Sequence, residues 1–179
     1  VNHTSARFWR DALLLCLSRI EEGQRALVPF DPENFDLRRA VILAGASSQQ
    51  AADVHFALVA IRNTLRVMED TLESSVDVRL GKLEAEFRES FPDAWNLRDI
   101  LEHLLDYKAG EGKLQRRGEM PSEESQPNLI YGSIKDPSAE VVLMFNLDTR
   151  NIRVKEALRK ALEIAERLSE LERGEGVEE

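Results

Sequence analysis

The stretch NLRDILEHLLDY, residues 96–107, concentrates side chains that can do phosphate and acid–base chemistry. Arg98 is a permanent cation whose planar fork suits a phosphate. His103, with an ordinary pKa near about 6.5, can take or give a proton at neutral pH. Asp99, Glu102 and Asp106 surround the pair. On a helix advancing about 100° per residue, with Leu97 at the origin, Ile100, Leu101, Leu104 and Leu105 fall between about −60° and +80°. Arg98 then lies near about 100° and His103 near about 240°, so the two bracket the polar face. Position and charge alone fit a solvated face with an Arg98–Glu102 pair one turn apart. Asp99, His103 and Asp106 also have the spacing of metal ligands, but no second helix offers a matching Glu-x-x-His set, so no metal is expected.

The elements that must position these residues follow from periodicity and from breakers. Residues 5–28 carry Phe8, Ala12, Leu13, Leu15, Cys16, Ile20 and Leu27 near helical spacing. Two prolines in VPFDPENFD then break the pattern. Asp36 can cap a short helix to about 44, which Gly45 ends or kinks. A long helix over 48–73 follows, with Ala52, His55, Phe56, Val59, Ala60, Asn63, Val67 and Met68 as its inward stripe. Asp77 caps a helix to about Glu89 that turns Leu80, Leu83 and Phe87 inward. Pro92 opens the helix carrying 96–107, where its missing N–H costs nothing.

Residues 109–128, with three glycines and two prolines, read as a mobile loop. LIYGSI and EVVLMFNL are strand-like, RNIRV adds a third candidate, and turn signals divide them. A final helix over 154–172 presents Val154, Ala157, Leu158, Ala161, Leu162, Ala165 and Leu168 on one face. The expected architecture is mainly α: a helical bundle over about 5–108, the loop, a small antiparallel β-hairpin or meander over about 129–153, and the C-terminal helix, all in one domain.

Composition narrows the function classes. A chain of 179 residues with 42% hydrophobic and 32% charged residues can build one ordinary core. No apolar run approaches the roughly 18 residues of a membrane span, and none reads as a signal peptide. Cys16 is alone and sits among apolar neighbours, which suits a buried thiol in a reducing cytoplasm. Trp9 and Trp95 read as core anchors, and His55 as a hydrogen-bonded core or interface histidine. A net charge of −9 argues against broad nucleic-acid binding. One local exception is KAGEGKLQRRG, residues 108–118, with four basic residues against one acid. No P-loop, dinucleotide fingerprint, nucleophile elbow or zinc-ligand set occurs.

The order Arg98-Asp99-Ile100-Leu101-Glu102-His103 resembles the hallmark of the HEPN superfamily: arginine, a polar residue, a short spacer and histidine on a late helix of a small α-bundle. The resemblance covers roughly residues 5–108 and implies an HEPN-like bundle. It further implies a metal-independent endoribonuclease of toxin or defence type that needs no cofactor and works as a homodimer with one composite cleft. Arg98 would position the scissile phosphate and stabilise its growing charge. His103 would act as general base or acid on the ribose 2′-OH, and Asp99 would orient a neighbouring side chain. Lys108, Lys113, Arg116 and Arg117 would hold flanking RNA phosphates. Many such domains are non-catalytic binding or assembly modules, and the three carboxylates around the motif leave that alternative open. RNA, an antitoxin or another protein are the partners implied, with no membrane.

Overall fold

The computed structural model describes residues 5–26, 37–74, 76–94, 111–118, 127–131, 140–145 and 151–174. Helix α1 spans Ala6–Ala26, α2 Leu37–Ser74 and α3 Val78–Ser90. A helical turn, α4, covers Lys113–Arg116. Strands β1 (Pro127–Tyr131), β2 (Val141–Phe145) and β3 (Asn151–Arg153) precede α5, Val154–Glu172. The mainly α architecture is as expected, and the strand-like segments form a three-stranded antiparallel meander in the order β1-β2-β3. Leu129 stands opposite Leu143, which stands opposite Ile152, so the register is set on both sides of the central strand. Among the described residues no helix is long and apolar enough to cross a membrane.

Three expectations for the helices need correction. Gly45 does not end a helix, since α2 runs through it for 38 residues. An interior glycine costs only about 1 kcal/mol relative to alanine, and burial of the helix beyond it outweighs that. The inward stripe of α2 is also turned. Val54, Ala57, Leu58, Ile61, Leu65 and Met68 are buried, whereas Phe56 is 60% exposed. Apolar residues occur around most of α2, so periodicity alone did not single out a face. Contacts with α1, α3 and α5 select it. On α1 the stripe is Ala6, Leu13, Cys16 and Ile20, while Phe8 and Leu15, expected inside, are exposed.

The expectation of a loop over 109–128 also gives way where the structure describes that segment. Residues 113–116 form a helical turn with Leu114 buried in the core, and β1 begins at Pro127. One apolar side chain with a place to go is enough to tie down a polar, glycine-containing segment.

Polar contacts between elements set how the helices sit. Asp77 is the N-cap of α3, its Oδ1 accepting from the Leu80 N–H at 2.6 Å. Its other oxygen lies 2.6 Å from Arg167 Nη2 of α5. Arg167 also meets Glu170 at 3.0 Å, so a nearly buried guanidinium has carboxylates on two sides. Lys155, fully buried, donates to Gln24 Oε1 at 3.0 Å and joins α5 to α1. Glu140 caps α5 from a distance in sequence. Its Oε1 accepts from the Lys155 N–H at 2.7 Å and its Oε2 from the Glu156 N–H at 3.2 Å. At the other end, Glu172 of α5 accepts from the Ala6 N–H of α1 at 2.8 Å.

Where α1 crosses α2, Gly23 makes room. A Cβ there would stand 3.1 Å from Gln50 Cγ, and Gln50 Nε2 uses the space to donate to the Ile20 carbonyl at 3.3 Å. Gly23→Val should therefore displace the Gln50 side chain from its bond to the Ile20 carbonyl and destabilise the protein by about 1–3 kcal/mol, measured by urea denaturation.

The hydrogen bond from Arg167, reinforced by the Leu80 N–H, holds the Asp77 carboxyl below its ordinary range. A carboxylate with a depressed folded pKa adds stability that is fully present above its unfolded value of about 3.9. That stability is lost as pH falls through the lower folded value. Asp77→Asn keeps a capping oxygen and removes the ion pair. Thermal melts should show the variant less stable at pH 7, with a smaller further loss than the wild type between pH 5 and pH 2. Parallel curves for the two proteins would show that other carboxylates govern the acid limb.

Candidate functional site

The motif residues Arg98, Asp99 and His103, and with them Lys108, lie outside the described residues, as do Glu102, Asp106 and Trp95. The structure does describe how the chain enters and leaves that stretch. At the entry, α3 is capped at its C-terminus by Phe91, whose N–H donates to the Phe87 carbonyl at 2.9 Å. The Phe87 and Phe91 rings pack at 5.0 Å between centroids. After a turn at Pro92 and Asp93, Ala94 is buried in a small apolar recess with Leu58, Ile61, Arg62 and Leu65 of α2. The residue four positions before Arg98 is thus fixed to the longest helix of the fold.

At the exit, the Gly112 N–H donates to Gln115 Oε1 at 2.8 Å. Leu114 and Gln115 turn inward, while Lys113, Arg116 and Arg117 remain exposed. Positions 113, 116 and 117 are spaced i, i+3 and i+4, so the turn gathers three of the four anticipated phosphate-binding cations. The Arg116 guanidinium donates to the Glu111 carbonyl, bracing one of them. Gly118 closes the segment at φ 70°, a left-handed conformation open to glycine at no steric cost.

The other residues singled out in the sequence have structural surroundings. Burial first, and the Asp53 carboxylate second, push the Cys16 thiol up, with Arg19 opposing them. The protonated, buried thiol is no nucleophile. Trp9 is partly buried against the core and meets the Phe8 ring edge-on at 5.0 Å. His55 is half-buried beside Phe56, ring centroids 6.2 Å apart, rather than in the core. A shallow cleft between the C-terminal ends of α2 and α5 is lined by Val67, Thr71, Leu168, Leu171 and Glu172, none of them an anticipated site residue. Among the described residues no group of three His, Cys, Asp or Glu side chains is placed to hold a metal ion.

Sequence reasoning missed a polar seam between α1 and α2. Arg19 Nε lies 2.8 Å from Oδ1 of Asp53, which is 4% exposed. Gln49 Nε2 approaches the same carboxylate oxygen at 3.3 Å. Next to it, the Oε1 of Gln50 is buried without a hydrogen-bond partner. The available signal was polar residues at core spacing: Gln50, Asp53 and Thr64 share one side of α2 with the apolar stripe. The Arg19–Asp53 contact and the bond from Gln50 to the Ile20 carbonyl bind the two helices to each other.

If α4 serves as the platform for the basic residues, its anchor and its surface should respond differently. Leu114→Ala should cost about 2–4 kcal/mol and raise amide exchange over 111–118. Lys113→Ala and Arg117→Ala should each change stability by less than about 0.5 kcal/mol. Compared with family models, curated proteins and solved structures, the chain matches none.

Proposed function

We propose that this chain is an HEPN-like protein acting as a metal-independent endoribonuclease of toxin or defence type, in the cytoplasm and as a homodimer. The observation that carries this reading is the Arg98-Asp99-x3-His103 order, followed ten to fourteen residues later by the exposed cations Lys113, Arg116 and Arg117. The mainly helical architecture is compatible with it. In this reading His103 takes the proton from a ribose 2′-OH as the 2′ oxygen attacks the adjacent phosphorus. Arg98 neutralises the charge that builds on the phosphoryl oxygens. The P–O5′ bond breaks, the leaving oxygen collects a proton, and a 2′,3′-cyclic phosphate results. Asp99 orients a neighbouring side chain. Lys108 and the α4 cations hold flanking phosphates, and a symmetric copy of the 96–107 segment completes the cleft.

A second reading has its own observations. The net charge of −9 and the exposure of Phe8, Leu15 and Phe56 at 53%, 58% and 60% favour a non-catalytic HEPN-like module that binds a protein partner or antitoxin. Activity on RNA separates the two. Purified protein should cleave RNA in the presence of EDTA, and His103→Ala should reduce the rate by about 100-fold or more. Arg98→Ala should relieve toxicity on expression. Cleavage that survives His103→Ala, or intact RNA at micromolar wild-type protein, would overturn the enzyme reading.

Salt provides an independent check on the basic turn. Replacing Lys113, Arg116 and Arg117 together by alanine should flatten the slope of log affinity for single-stranded RNA against log salt by about 2, at about 0.7 per phosphate contact. An unchanged slope would remove α4 from the RNA path.

A further inference from the structure

We draw no further inference here: the strongest candidate, the exposed apolar surface contributed by Phe8 and Leu15 of α1 and Phe56 of α2, carries nothing more because nothing in the structure shows what covers it.

Discussion

Burial of one face of α5 is the constraint on which the other elements depend. This helix packs on α1, α2 and α3 and on strands β2 and β3. Its inward face is built largely from Ala157, Leu158, Ala161, Ile164, Ala165 and Leu168, all nearly inaccessible to solvent. Small residues at 157, 161 and 165 form one row along the axis and let neighbouring helices approach closely. The apolar contact supplies attraction without direction. Direction comes from groups that cannot be buried unless they find a partner: Lys155 with Gln24 of α1, Arg167 with Asp77 of α3, and the first N–H groups of α5 with Glu140.

Those polar contacts penalise wrong arrangements of α5 as well as joining the right one. A buried charge loses several kcal/mol of hydration, and its partner in the fold offsets much of that loss. Sliding α5 by one turn would leave Lys155 and Arg167 without those partners, so competing registers are penalised. Asp77 illustrates the economy of the arrangement. The same carboxylate begins α3 through one oxygen and receives α5 through the other, so one side chain serves a local cap and a long-range ion pair.

For the candidate site, the frame supplies buried residues on both sides of the 96–107 stretch. Ala94 is held against α2, and Leu114 holds α4 to the core. The sequence offered candidate residues for chemistry: an arginine, a histidine and a following basic segment. It did not reveal the anchoring of that basic segment, because Leu114 is a single apolar residue in a polar context with no periodicity around it. Nor did it reveal the Arg19–Asp53 pair, since a charged residue inside a helical stripe reads as an interruption until its partner on another helix is placed.

What the sequence determined by itself was the type of every described element except α4, and several of their ends. The Asp77 cap, the α5 limits at Val154 and Glu172, and the three strands follow from local causes: a side chain reaching the N–H three residues on, the 3.6-residue repeat, and β-branched runs between turns. Tertiary structure decided which face of α2 is buried, that α2 continues through Gly45, and that Glu140 caps a helix beginning fourteen residues later. The physical reason is range. Caps and periodicities act within one or two turns, whereas the choice between two apolar faces of a helix depends on the energy of packing against elements distant in the chain.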